Sequence, residues 1–151
     1  MGKAQRPILF DADTIINLLE WGCYGKLCRA LGNNTCVADA VRGEVKYYVD
    51  RATGRRRRFN SSAITTSSVP RLVTIDELSD EQYPTYLRYF RTLAAAHPGE
   101  RETVALAWVL NYDVCLSDKE ATDLFNRHKP ADSPSRHIWL LDLLRSLRLI
   151  Q

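Results

Sequence analysis

Long apolar runs are missing from this 151-residue chain; the longest uninterrupted one spans Val104 to Leu110. A bilayer needs roughly 20 such residues, so a membrane-spanning helix is excluded. Met1 to Arg6 is short and polar, and the apolar stretch behind it is broken by Asp11 and Asp13, unlike a secretory leader. The expectation is a cytoplasmic protein with no membrane partner. Cysteine is scarce and scattered: Cys23, Cys28, Cys36 and Cys115 show no CxxC or Cys/His spacing of a tetrahedral zinc site. They read as reduced thiols that pack as small hydrophobes. His97, His128 and His137 share no ligand spacing, and histidine catalysis is not expected.

Net charge is also small, +3, and alone argues little for a nucleic-acid partner. Its distribution argues more. Arg55, Arg56, Arg57 and Arg58 are consecutive, whereas the acidic positions of interest lie elsewhere, so the surface should be electrically divided. At this length one core is well filled and two ordinary domains do not fit, which gives a single domain over 1–151. Asp50 to Ser68 differs in composition, with the arginine run, many Ser and Thr and no helical period; it reads as a basic hairpin or insertion turning near Thr53-Gly54.

Around that insertion, strands and helices alternate. Pro7 to Phe10, Cys36 to Ala38, Val69 to Ile75 and Asp113 to Ser117 read as short strands. Helices are predicted over Thr14 to Trp21, Tyr24 to Leu31, Asp39 to Val49, Ser79 to Ala96, from Pro98-Gly99 through Asn111, and from Asp118 or Lys119 to His128. A final amphipathic helix from Arg136 is marked by Ile138, Leu141, Leu144 and Leu147. The alternation predicts an α/β fold, a three-layer α/β/α sandwich with a central, mostly parallel sheet.

Acidic residues recur where elements change. Asp11 and Asp13 follow the first strand, Glu44 lies on the helix after the second, Glu102 is in the first turn of the helix at Pro98, and Asp118 follows the last strand. Carboxylates gathered at such ends in a parallel sheet can share a hard cation. Mg²⁺ takes octahedral oxygen ligands and keeps several waters, so a few carboxylates suffice and a substrate phosphate completes the shell. Two such ions about 4 Å apart can activate water and stabilise a departing oxygen. In that scheme Asp11 anchors the metal, Glu44 and Asp118 complete the shell or orient water, and Glu102 holds or polarises the second ion.

The same stretches resemble the PIN-domain ribonucleases, which include the VapC-type toxins. Phe10-Asp11-Ala12-Asp13-Thr14-Ile15-Ile16 is similar to the family's opening strand, and Asp39-Ala40-Val41-Arg42-Gly43-Glu44-Val45 to its second motif. Pro98 to Ala107 resembles a variant of the third motif, and Cys115-Leu116-Ser117-Asp118-Lys119-Glu120-Ala121 resembles the fourth. The resemblance implies a PIN-like fold and an endoribonuclease dependent on Mg²⁺ or Mn²⁺, with Asp11, Glu44, Glu102 and Asp118 as metal-binding and catalytic acids. Ser117 stands beside the metal and Asp13 replaces a small polar residue. Glu100 leaves the third motif open to a shift of two residues. Implied partners are an RNA substrate and, for a toxin, a small antitoxin protein; a homodimer is also expected.

Plainer readings accompany each residue. Asp11, Asp13 and Asp118 can each be helix caps, with Asp13 otherwise a support to the metal; Glu44 and Glu102 can be solvated helix residues. Arg55 to Arg58 can grip phosphates beside Tyr47, Tyr48 and Phe59 as stacking surfaces, or can be a solvated hairpin tip. Two rival functions remain. One is a PIN-like module that binds RNA or protein without cutting. The other is a haloacid-dehalogenase-like phosphatase, which Asp11-Ala12-Asp13-Thr14 superficially resembles; there one residue separates the second aspartate from the Thr, and here none does.

Overall fold

Strand β1 (Ile8–Phe10) lies between β2 (Thr35–Ala38) and β6 (Asp113–Cys115), and β5 (Arg71–Val73) extends the sheet beyond β2. This computed structural model describes residues 6–58 and 70–150. All three pairings are parallel, with Ile8 opposite Thr35, Phe10 opposite Cys115 and Val37 opposite Leu72. Every residue of β1, β2 and β6 is buried. Strands covered on both faces read as short continuous apolar runs, which explains Ile8-Leu9-Phe10 and Cys36-Val37-Ala38. The far side of β6 is finished by the segment at His137: Val114 N–H donates to Arg136 O at 2.9 Å and Ile138 N–H to Val114 O at 2.8 Å.

Seven helices accompany the sheet among the described residues: α1 (Ala12–Glu20), α2 (Tyr24–Leu31), α3 (Asp39–Glu44), α4 (Gln82–Thr92), α5 (Pro98–Leu110), α6 (Lys119–His128) and α7 (Leu140–Ser146). The arrangement is α/β and compatible with a three-layer sandwich. Helix α5 is buried through Thr103, Val104, Ala105, Leu106, Ala107 and Trp108, so it serves as the central helix and not as a surface one. Trp108 meets Tyr89 edge-to-face at 5.5 Å and Phe125 at 5.8 Å, joining α4, α5 and α6.

Two boundaries differ most from the sequence reading. The helix predicted over Asp39 to Val49 stops at Glu44, and Tyr47–Val49 forms β3 instead, paired antiparallel with β4 (Arg56–Arg58). Two tyrosines and a valine fit a strand better than a helix end. The hairpin closes through Gly54, at φ +67°, so its turn lies where the sequence places it. The last helix begins at Leu140 and not at Arg136, because the backbone at 136–138 is engaged with β6. Its buried leucines are Leu140, Leu143 and Leu144, whereas Leu141, expected on the apolar stripe, is exposed. Phe59 and Val69 lie outside the described residues.

Candidate active site at the ends of β1 and β6

From β1 the chain steps one way, through β2 to β5, and then returns to the opposite side of β1 with β6. The two directions part between β1 and β6. In open α/β sheets the crevice beyond the carboxyl ends of such strands is where ligands bind. Asp11 follows β1 directly, and Ser117 and Asp118 lie just past β6.

Asp11 is the N-cap of α1, the role the sequence offered first to Asp13. Its Oδ1 accepts from Thr14 N–H at 2.9 Å, and its Oδ2 accepts from Ser117 N–H at 3.4 Å. The side chain is buried, whereas Asp13 is exposed in the first turn. The Thr14 hydroxyl, fully buried, donates to Cys115 O at 3.1 Å and lies 2.7 Å from Ser117 Oγ, which also accepts from Asn17 Nδ2 at 3.3 Å. These bonds fasten the start of α1 to the end of β6. Burial pushes the Asp11 carboxyl up to about 6; hydrogen bonds from Thr14 oppose this, and the charge of Asp13 adds to it.

Glu100 lies in the first turn of α5. Burial pushes its carboxyl up to about 7, with the negative charges of Asp118, Asp11 and Asp13 acting in the same direction and His97 partly offsetting them. Asp118 caps α6, its Oδ1 accepting from Glu120 N–H at 3.2 Å. Asp11, Asp13, Glu100 and Asp118 therefore form one electrostatic group. Asp11, Glu100 and Asp118 all stand at helix starts, where the positive end of the helix dipole favours an anion.

Glu102 does not belong to that group. Two residues along a helix turn the side chain by about 200°, and Glu102 Oε2 accepts from Ala40 N–H of α3 at 3.0 Å. Burial raises its carboxyl, Ala40 opposes the rise, and Asp39 and Glu44 add to it. Glu44 Oε1 accepts from Gly99 N–H at 3.0 Å. The structure thus brings Glu100 to Asp11 and Asp118, the two-residue alternative within the third motif, and sets Glu44, Glu102 and Asp39 in a second group.

Carboxylate and hydroxyl oxygens are hard donors, which suits Mg²⁺ or Mn²⁺. Among the described residues, no three His, Cys, Asp or Glu side chains converge as a ready-made cage for an ion. Mg²⁺ is commonly held by one or two carboxylates, water and substrate phosphate, and the donor chemistry of the first group fits that mode.

No protein-family model matches this chain, and no match was found among curated proteins. The site therefore rests on its own geometry.

Sequence reading passed over Thr14 and Asn17. Their signal is the spacing: a Thr three residues after a capping Asp, and an Asn one turn further on the same face. In the basic hairpin, Arg56 stacks on the Tyr47 ring at 3.9 Å and Arg57 pairs with Asp50 at 2.7 Å. The side chains of Arg55 and Arg58 make no ion pair among the described residues, and all four arginines are exposed.

Proposed function

We propose that this protein is a PIN-like endoribonuclease, dependent on Mg²⁺ or Mn²⁺, whose acids are Asp11, Glu100 and Asp118, with Asp13 beside them. The observation that carries the reading is the shared field of these acids beyond the ends of β1 and β6, where burial first, and then the charges of the other three, raise the Glu100 carboxyl. Such mutual repulsion is relieved by a cation, and a perturbed carboxyl in a crevice marks a functional site. The order of the acids along the chain, similar to the PIN pattern, supports the same reading. A small antitoxin protein belongs to this proposal as a partner.

Asp11 and Asp118 would hold the ion, with Asp13 at its outer side. When bound, the metal would polarise the scissile phosphate and the attacking water. Hydrolysis adds water to phosphorus, breaks the bond to the 3′ oxygen and returns a proton to that oxygen. Glu100, with its carboxyl near 7, can hold or release a proton at neutral pH and suits general acid–base work. Ser117 and Thr14 hold Asp11 in place, and Glu44 and Glu102 organise the helix starts around Gly99 and Ala40. Arg55 and Arg58, exposed and without an ion pair among the described residues, would meet phosphates further along the strand.

The test is cleavage of single-stranded and structured RNA by purified protein with Mg²⁺ or Mn²⁺, compared with Asp11→Asn. Metal-dependent cleavage lost in the variant supports the reading. Intact RNA that nevertheless binds would replace it with a non-cutting RNA module.

A further inference from the structure

Beside Ser117 lies a hollow of about 360 Å³ between α1 and α7, floored by Leu116 and Ser117 and walled by Asn17, Trp21, Trp139, Asp142 and Arg145. Ser117 is shared, since its N–H donates to Asp11 and its hydroxyl accepts from Asn17. Three features of this hollow are not explained by packing. Trp139 is 52% exposed, although indole rings are normally well covered. Its ring is nevertheless held, standing edge-to-face against His137 at 4.5 Å. A second hollow of about 390 Å³, lined by Arg136, His137 and Leu143, also has Trp139 in its wall, so one fixed ring borders two hollows.

Arg145 stands at the rim of the first hollow and Arg136 at that of the second, and the carboxylate of Asp142 borders both. Arg145 and Arg136 are both exposed, their loose pairings being Arg145 with Asp142 at 3.8 Å and Arg136 with Asp113 at 3.7 Å. The Arg145–Asp142 pair, long and exposed on both sides, contributes little and leaves that guanidinium available to a phosphate; Asp113 is buried, but Arg6 also stands 3.6 Å from it, so Arg136 is not its sole cation and its exposed guanidinium can still meet an anion. Asn17 uses one amide N–H on Ser117, and its carbonyl oxygen accepts no hydrogen bond among the described residues. A flat aromatic face, an amide with an open acceptor and flanking guanidinium groups match an unpaired nucleobase with its phosphates. An apolar side chain of a protein partner would use the ring and leave the cations and the amide without purpose.

We propose that this hollow binds an unpaired nucleotide flanking the scissile bond, its base stacked on Trp139 and its phosphate against Arg145, so that the substrate is single-stranded RNA at this point. The placement of this nucleotide beside the scissile bond rests on the nuclease reading, but the binding site itself does not require cleavage. Arg136, across Trp139, meets the next phosphate, and successive bases sit on either side of the indole.

Binding of a fluorescein-labelled ten-nucleotide single-stranded RNA is measured by anisotropy on full-length Asp11→Asn protein without divalent metal. Trp139→Ala should weaken binding about tenfold, the scale of one lost base–aromatic stack, and Trp139→Phe should stay within about threefold of the parent. Arg145→Gln should lower the slope of log affinity against log salt by about 0.7. A duplex of the same sequence should be insensitive to Trp139→Ala. Thermal melting identifies any variant that fails to fold, and Trp139→Phe then carries the comparison alone: its binding must remain near the parent's, with the tryptophan emission at 139 quenched by RNA in the parent and absent from the difference spectrum of the variant. Unchanged affinity in Trp139→Ala, or an unchanged salt slope in Arg145→Gln, overturns the proposal and leaves the hollow to a protein partner. If Trp139 governs binding but the wild type with Mg²⁺ cuts nothing, the nuclease reading fails and the nucleotide site stands. If the wild type cuts and Trp139 is irrelevant, the reverse holds.

Discussion

Glu44 reaches across to the start of α5 and accepts the Gly99 N–H at 3.0 Å, a contact that position 99 permits only because it has no side chain. A Cβ there would lie 2.6 Å from Glu44 Oε2 and 2.7 Å from its Cδ. The clashing atoms are the end of a flexible side chain, so Gly99→Ala should displace the carboxylate and not the helix. In a helix interior Ala is favoured over Gly by about 0.5–1 kcal/mol, and loss of a charge-assisted cap costs a similar amount. Gly99→Ala alone should therefore change stability by less than about 1 kcal/mol. With Glu44→Ala already in place the clash is gone, and the same substitution should stabilise by about 0.5–1 kcal/mol. Urea denaturation of the four proteins in that cycle measures the difference; equal effects of Gly99→Ala in both backgrounds would rule the contact out.

Fold class was legible from the alternation of short apolar runs with amphipathic segments, because buried parallel strands carry that pattern whatever their neighbours. Asp11 and Asp118 were legible for a related reason: residues just past a strand are placed by the strand. Glu100 and Glu102 were not, since both lie in one helical turn and only the rotation of α5 decides which faces β1. That rotation is set by the buried face from Thr103 to Trp108, apolar nearly all round and so without a moment to read. The end of α3 was hidden similarly. Val41, Val45 and Tyr48 continue a helical stripe, but Tyr47-Tyr48-Val49 gains a strand partner in Arg56–Arg58, which local periodicity does not reveal. At α1 the cap moved from Asp13 to Asp11 because Asp11 also receives the Ser117 N–H, a contact 106 residues distant.

Stability should fall as pH rises from about 4 to about 7. The Asp11 carboxyl is raised from its ordinary 3.8 to about 6, and that of Glu100 from 4.5 to about 7, so between those values the folded state keeps protons that the unfolded chain has released. Fewer protons on the unfolded chain means that deprotonation favours unfolding. The contribution is present below about pH 4 and is lost as pH passes the raised values. In EDTA the melting temperature should decline across this window, over and above the acid effects of other groups. Asp11→Asn should flatten the decline between about 4 and 6. Under the proposed function, Mg²⁺ or Mn²⁺ at pH 8 should restore several degrees, because it binds the ionised carboxylates of the folded state. A wild-type profile identical to that of Asp11→Asn would show that the buried carboxyl does not titrate as described.

Glu100→Gln and Glu102→Gln should separate chemistry from support. Glu100 shares the field of Asp11 and Asp118, and removing a general acid or base lowers rates by about 10²–10⁴. Cleavage by Glu100→Gln should fall by at least about a hundredfold, with melting at pH 8 unchanged or higher because one negative charge has left the group. Glu102→Gln keeps an oxygen for the Ala40 N–H, and cleavage should change by less than about tenfold. Glu102→Ala should instead cost about 1 kcal/mol of stability by orphaning that N–H. Single-turnover rates and melting curves, read together, decide the assignment; a greater loss of rate in Glu102→Gln would return the third acid to position 102.

The arginines of the hairpin should prove unequal although their charges are identical. Arg57 is committed to Asp50 at 2.7 Å and Arg56 lies over Tyr47 at 3.9 Å, whereas Arg55 and Arg58 carry no such partner among the described residues. A guanidinium already paired must surrender that partner before it can hold a phosphate, and its net gain on binding is smaller. For single-stranded RNA each phosphate contact contributes about 0.7 to the slope of log affinity against log salt. Arg55→Gln and Arg58→Gln should each lower the slope by about that much, while Arg57→Gln should leave it nearly unchanged and act on the hairpin instead. Asp50→Asn supplies the converse: by releasing Arg57 it should strengthen RNA binding and steepen the slope, and an Asp50→Asn protein that binds no better would show that the hairpin does not touch RNA through Arg57 at all.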